Sequence, residues 1–299
     1  MKIITEAEDL KGKRVLVRVD WNGASEFRIN ASMPTINFLI ETGAQVILAT
    51  HLAEGSTDDL RRYVPLGAEL LPNLRENPGE EANSEEFARE LASQADIYVN
   101  EAFSVSHREH ASIVGVPKLL PSYAGVRFAE EVKELSRAFS PTHPFLLILG
   151  GAKIETKLPL VEKFSQIADS IFIGGAMAKH ASEIGLGNNP KVWFPTGDLG
   201  ALDANTETLE LLKTKISEAK FIVWNGPLGQ YETGYVQYTN ELALALAEAE
   251  GEVIVGGGDT LAMLEKLNVL DKYSFVSTGG GAMLEFLATG TLPGIEALS

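Results

Sequence analysis

The chain has 299 residues, 45% of them hydrophobic, with a net charge of −16 and no cysteine. That length suits about two domains, and the cysteine count excludes a disulfide framework and a thiolate metal site. The acidic balance argues against nonspecific binding to nucleic acid or anionic membranes, no apolar run reaches the roughly 18 residues of a membrane span, and the first residues do not read as a signal peptide, so a soluble, cytoplasmic protein is expected.

In chain order, Arg14-Val15-Leu16-Val17-Arg18-Val19-Asp20 reads as a buried strand that gives way to Trp21-Asn22-Gly23. In parallel α/β sheets ligands bind beyond the carboxyl ends of strands, which places Asp20 and Asn22 where a substrate would lie. Arg28-Ile29 is expected in a loop, with Ser32 as the N-cap and Pro34 an early position of a helix to about Glu41. Gln45 to Thr50 is a second strand ending on His51; a histidine there is more often a hydrogen-bonded structural residue than a catalytic one. Ser56-Thr57-Asp58-Asp59 could cap a helix through Leu71, Asn83 or Ser84 caps another to about Gln94, and Asp96 to Val99 is a further strand. His107 and His110 invite a zinc reading, but no third ligand clusters with them, and anion binding around Arg108 fits better.

Arg127 to Phe139 has helical spacing and is broken by Ser140-Pro141-Thr142-His143-Pro144, where the domain boundary is placed. Beyond it an apolar strand, a glycine-rich or polar turn and a helix recur. The strands are Phe145–Leu149, Ser170–Ile173, Phe221–Trp224, Glu252–Val255 and Ser274–Ser277. Five such units imply a parallel, doubly wound sheet with its glycine turns on one edge. The fourth turn, Gly256-Gly257-Gly258-Asp259-Thr260, presents backbone N–H groups and a helix start to an anion, with Asp259 as a Mg²⁺ ligand; the plainer reading is a tight βα turn. Lys153 and Lys157, four apart after the first glycine turn, are either ordinary surface lysines or charge-neutralising groups beside a phosphate. All ten arginines lie between Arg14 and Arg137, so the halves are expected to hold different ligands. Neither a P-loop nor a well-placed dinucleotide fingerprint is present.

The strings Val19-Asp20-Trp21-Asn22, Thr50-His51-Leu52, Asn73-Leu74-Arg75, Asn100-Glu101-Ala102-Phe103, His107-Arg108-Glu109-His110, Leu149-Gly150-Gly151-Ala152-Lys153, Val223-Trp224-Asn225-Gly226-Pro227, Gly256-Gly257-Gly258-Asp259-Thr260 and Thr278-Gly279-Gly280-Gly281 run nearly end to end. In that order they resemble the phosphoglycerate kinase family. The resemblance implies two Rossmann-like α/β domains, each a parallel sheet flanked by helices, separated by a hinged cleft. Residues 1–140 would bind phosphoglycerate, 141–288 the nucleotide, and 289–299 would return to the first domain. It implies that Asp20, Trp21, Asn22, Arg28, His51, Arg75 and Arg108 face 3-phosphoglycerate or 1,3-bisphosphoglycerate. Lys153, Lys157, Glu232, Gly257, Gly258, Asp259 and Thr260 would face ADP or ATP with its Mg²⁺, held by Asp259. Arg28, Lys157, Gly279, Gly280 and Gly281 would act on the moving phosphoryl group. A monomer acting on small molecules, with no nucleic-acid or membrane partner, is the expectation.

Departures from the family pattern accompany the match. Thr50-His51-Leu52-Ala53-Glu54-Gly55 carries an acid where the family has an arginine holding the remote phosphate; losing such a charged hydrogen bond costs about 1.5–3 kcal/mol, for which Arg61 or Arg62 would have to compensate. Glu101 stands for the family's aspartate, and Ser104-Val105-Ser106-His107 replaces Gly-Thr-Ala-His. The chain is also short, chiefly between His51 and Asn73 and between Lys179 and Thr208, so a trimmed first domain and a more open base pocket are expected. A catalytically weak or silent member that binds nucleotide or a protein is the alternative, and a kinase with another acid acceptor a third reading.

Overall fold

The computed structural model describes residues 1–299, the side chain of Ala24 excepted, as two compact units, Met1–Lys133 with Thr289–Ser299 and Glu134–Ala288. In the first unit the order is β1 (Arg14–Arg18), α1 (Glu26–Glu41), β2 (Gln45–Ala49), β3 (Ala68–Leu70), α2 (Glu85–Ala92), β4 (Ile97–Asn100), β5 (Ser122–Ala124) and α3 (Val126–Ser136). Its strands form one parallel sheet in the order β3-β2-β1-β4-β5. Every residue of β1 after Arg14 is buried, the continuous pattern of a strand covered on both faces. Val15 and Val17 pack with Ile36 and Leu39 of α1, Val46 and Leu48 of β2, and Trp21.

The second unit contains β6 (Phe145–Leu149), α4 (Leu158–Phe164), β7 (Ser170–Ile173), α5 (Ala178–Glu183), β8 (Val192–Trp193), α6 (Thr206–Glu218), β9 (Phe221–Asn225), α7 (Gln237–Ala247), β10 (Glu252–Gly256), α8 (Gly258–Leu267), β11 (Phe275–Val276) and α9 (Gly281–Thr289). Its sheet is parallel in the order β11-β10-β9-β6-β7-β8. Phe145 meets Phe221 edge-on at 5.3 Å and Phe164 at 5.8 Å, which seats β6, β9 and α4 on one aromatic cluster. The chain then re-enters the first unit and ends in α10 (Pro293–Glu296).

Several elements differ from the sequence reading. Helix α1 starts at Glu26, so Arg28 and Ile29 are helical and Pro34 lies inside the helix. Ile29, Ser32, Thr35, Ile36 and Leu39 form one buried face at helical spacing, and that burial outweighs the single N–H that Pro34 lacks. The Ser32 hydroxyl, instead of capping, donates to the Ile29 carbonyl at 2.7 Å and accepts from the Trp21 indole at 3.0 Å. No helix runs through Leu71: Ser56 caps a 3₁₀ stretch, Thr57–Tyr63, after which the chain enters β3. The second sheet gains a sixth strand, β8, too short at two residues to show periodicity. The unit division falls within α3, upstream of Ser140–Pro144, because the proline breaker marks where the helical run ends and not where packing partners change.

In both sheets the order of strand addition reverses once, between β1 and β4 in the first and between β6 and β9 in the second. The crevice at such a switch point is where open α/β sheets take ligands.

Candidate active site

In the first unit β1 ends level with β2 and β4, Arg18 pairing with Ala49 and with Asn100, so the segments that follow emerge along one sheet edge. Asp20 follows β1, His51 follows β2, Arg75 follows β3, and Ser104 to Arg108 follow β4. Asp20 is buried, with the Arg28 guanidinium 3.2 Å away and the Ser104 hydroxyl donating to it. Burial would raise its pKa, but Arg28, together with Ser104 and Arg18, more than offsets this and holds the carboxyl below its ordinary value. His51 Nδ1 lies 3.1 Å from Nη2 of Arg18, a group that can only donate. Burial, with Arg18 and then Arg75 and Arg108, pushes His51 down to about 3 despite Asp20, so the ring is neutral with its proton on Nε2.

Arg75 is paired with Glu81, and Arg108 is exposed on the loop after β4. His107 and His110 each keep a buried Nδ1 without a hydrogen-bond partner, and burial, with Arg108 beside them, lowers both pKa values. Asn22 accepts at Oδ1 from the Ala53 N–H at 3.1 Å. This edge therefore gathers Arg28, Arg75 and Arg108 around largely neutral imidazoles, a cradle for a multiply charged anion. Trp21 does not face it: the side chain is fully buried in the core. Its apolar bulk and the indole bond to Ser32 make it a packing residue.

The floor of this site contains groups that sequence reading passed over. Arg18 is 0% exposed, donates to the Ser112 hydroxyl at 2.8 Å and to the Val19 carbonyl, and lies 3.9 Å from Glu80, itself 0% exposed. Glu80 accepts from the Ser112 N–H at 2.9 Å and from its hydroxyl. A charged residue at an otherwise apolar strand position was the available signal for such a buried pair.

In the second unit the turns after β6 and β9 are laced together, the Gly151 N–H donating to the Pro227 carbonyl at 2.8 Å and the Gly150 N–H to Asn225 at 2.9 Å. A Cβ at Gly150 would collide with the Gly226 and Pro227 carbonyl oxygens, so only glycine allows this approach. Beside it a cleft of about 380 Å³ is lined by Lys153, Lys157, Asn225, Glu232, the Gly257–Thr260 turn, Gly280 and Gly281. Helices α8 and α9 begin at Gly258 and Gly281, so two sets of free N–H groups and two positive dipole ends converge on it. A Cβ on Gly280 would lie 3.4 Å from Gly257 Cα, which records how closely the two turns pack.

Lys157 is buried, and a Cβ on Gly151 would sit 3.5 Å from its Nζ; burial lowers its pKa. Thr260 Oγ1 is buried in this cleft without a partner, an orphan that a bound ligand would satisfy. Lys153, Glu232 and Asp259 are exposed at the rim. Gly279 departs from the reading that all three glycines offer N–H groups: it is buried and its N–H donates to the Ser277 hydroxyl at 3.1 Å, leaving Gly280 and Gly281 on the cleft.

One further expectation, compensation by Arg61 or Arg62, meets the structure differently. Arg61 is paired with Asp58 at 3.0 Å and Arg62 lies over the Tyr63 ring, so neither is poised to replace an arginine at Glu54. His107 and His110 do not belong to a metal cluster: among the described residues no group of three or more His, Cys, Asp or Glu could hold an ion.

A sequence model of the family described as phosphoglycerate kinase matches residues 4–64, 62–189 and 188–290. The two breaks fall inside the segments where the chain is short. The phosphoglycerate kinase of Dictyoglomus turgidum is 36% identical over 383 aligned positions, covering 97% of this chain and 96% of that protein. Because 383 positions face a chain of 299, at least 84 have no residue opposite. The solved structure of phosphoglycerate kinase from Coxiella burnetii superimposes with a TM-score of 0.83 at 30% identity, covering 99% of this chain and 98% of that one. That from Pyrococcus horikoshii gives 0.86 at 26% identity, covering 100% and 98%. A family match from end to end, on a fold whose two switch points carry an arginine cradle and a glycine floor, shows that the chain belongs to the phosphoglycerate kinase family of phosphotransferases.

Proposed function

We propose that the protein catalyses reversible phosphoryl transfer between 1,3-bisphosphoglycerate and ADP, giving 3-phosphoglycerate and ATP, in glycolysis. The observation that carries this reading is the pairing, in one chain, of a cationic site at one switch point with an amide-lined, lysine-bearing cleft at the other. Arg28, His51, Arg75 and Arg108 hold the phosphoglycerate, with Asp20 and Asn22 orienting it. Lys153, Glu232, Gly257, Gly258 and Thr260 hold the nucleotide. Asp259 fits a Mg²⁺ that arrives with the nucleotide, and the orphaned Thr260 hydroxyl beside it fits a phosphate oxygen. When bound, that ion neutralises phosphate charge.

The attacking group in either direction is an anion, a carboxylate or a nucleotide phosphate, so no general base is needed. Catalysis reduces to alignment and charge stabilisation by Arg28, Lys157 and the N–H groups at Gly280 and Gly281. A neutral His51 suits this scheme, since it donates from Nε2 without competing for the proton. Transfer requires the two half-sites to meet around one phosphoryl group, hence hinge closure of a monomer in the cytoplasm. No helix among the described residues is long and apolar enough to cross a membrane.

A coupled assay with ATP, Mg²⁺ and 3-phosphoglycerate tests the proposal: turnover is expected, and none at millimolar substrate overturns it. Arg28→Ala should lower kcat at least ~100-fold while leaving nucleotide affinity nearly unchanged. A catalytically weak member is the second reading, favoured by the exposed Glu54 and by Arg61 and Arg62 being engaged elsewhere. A saturating rate with a strongly raised KM for 3-phosphoglycerate alone would select it.

A further inference from the structure

We propose that Asn73 is a positioning residue for the phosphoglycerate half-site, a carboxamide clamp that fixes the turn carrying Arg75 to the loop that follows His51. The proposal rests on the phosphoglycerate kinase reading and concerns a residue that takes no part in the chemistry. Asn73 lies between β3 and the 3₁₀ turn Leu74–Glu76 and is 6% exposed. Its Oδ1 accepts from the Leu52 N–H at 2.9 Å and from the Arg75 N–H at 3.1 Å. Its Nδ2 donates to the Leu52 carbonyl at 3.2 Å and to the Gly55 carbonyl at 3.1 Å. Two acceptor sites and two donor hydrogens are thereby all used, the full capacity of a carboxamide.

The geometry makes this a link between site residues as well as a local cap. The residues Ala53 to Ser56 are exposed, so packing does little to define the loop. It is instead held from two sides: Asn22 grips the Ala53 N–H from beyond β1, and Asn73 grips Leu52 and Gly55 from beyond β3. The Leu74 N–H adds a bond to the Thr50 carbonyl at 3.1 Å, directly before His51. Asn73 thus sets the spacing between His51 and Arg75 and fixes the backbone that bears Glu54. Where a substrate must be gripped by charges on separate segments, a fixed spacing spares the ordering that binding would otherwise have to supply.

Two variants loosen the arm of the clamp that holds the loop while keeping the cap on the Arg75 turn. Asn73→Asp keeps both acceptor bonds and loses both donor bonds; Asn73→Ser still caps the Arg75 turn but is too short to hold the loop. Steady-state kinetics on the full chain are expected to show KM for 3-phosphoglycerate raised roughly three- to ten-fold in both variants. The values of kcat and of KM for MgATP should stay at those of the unsubstituted protein. A KM for 3-phosphoglycerate that does not move, an equal rise in both KM values, or a fall in kcat alone overturns the clamp. So does loss of the native melting transition in both variants, which would assign Asn73 to the fold. The unsubstituted protein, measured alongside, separates the two claims: its failure to turn over overturns the kinase reading, whereas unchanged variants of an active enzyme overturn the clamp alone.

Discussion

Arg18 sits beneath the anion cradle with its charge divided among the Ser112 hydroxyl, the Val19 carbonyl, His51 Nδ1 and the buried Glu80. Removing one member of a buried pair costs more than the pair contributes, since the other charge is left in a low dielectric. Arg18→Ala should therefore destabilise the first unit by about 3–5 kcal/mol, read from the urea midpoint. It also deprives His51 of the donor that fixes its tautomer, so the loss of 3-phosphoglycerate affinity should exceed that of nucleotide affinity. A midpoint shift within the scatter of ordinary surface variants would show that Glu80 and Ser112 re-pair without it. Part of this cradle was legible residue by residue: Asp20 stands at a strand end, where topology marks a ligand, and Arg108 in a donor-rich segment, whereas His51 at its strand end read as structural and Arg75 entered only through the family resemblance. The supporting layer was not legible, because Ser112 lies 94 residues from Arg18 and no local pattern carries so distant a pairing. Trp21 misleads for the complementary reason: one residue past Asp20, its direction depends on the core and not on its neighbours in sequence.

Helix α3 is anchored at its first turn by a carboxylate from another element. Glu101, just past β4, accepts from the Thr35 hydroxyl of α1 at 2.6 Å and from the N–H groups of Arg127 and Phe128 at 3.0 and 2.9 Å. Thr35 also accepts from the Val126 N–H at 2.7 Å, and a Cβ on Gly125 would strike the Glu101 carboxylate. Burial outweighs these donors and Arg127 and pushes the Glu101 carboxyl up to about 7. Between about pH 4.5 and pH 7 the unfolded chain gives up this proton while the folded one keeps it, so stability falls as pH rises through that window. Glu101→Gln should flatten that part of the profile, with urea midpoints at pH 5, 6 and 7.5 as the measure; equal slopes in both proteins would locate the titration elsewhere. At this scale the long elements were legible because their apolar spacing runs for several turns. The short strands β3, β5 and β8, of two or three residues, were not, and neither was the start of α1, where Pro34 imitates a helix beginning while Ile29 already lies on the buried face.

The last residues of the chain complete the first unit, after the whole of the second has been traversed. Leu292 and Leu298 are buried, Ala297 packs on Ala102, Val105, Ile113 and Val114, and the Gly294 N–H donates to the Ser106 carbonyl at 2.9 Å. A side chain at position 294 would lie 2.6 Å from Ser106 Cβ, so the tail lies against the backbone that carries Ser104, His107 and Arg108. Deleting residues 291–299 removes two buried leucines and exposes the patch they cover, a loss of about 3–6 kcal/mol at about 1.5–3 kcal/mol for each large apolar side chain. That loss should fall on the first unit: amide hydrogen exchange should accelerate in β1 and β4 while β6 and β9 keep their protection. KM for 3-phosphoglycerate should rise and KM for nucleotide should not, since the Ser104–Arg108 segment loses its backing while the glycine floor belongs to the second unit. Exchange that accelerates equally in both sheets would instead make the two units one cooperative block, with the tail stabilising the molecule as a whole.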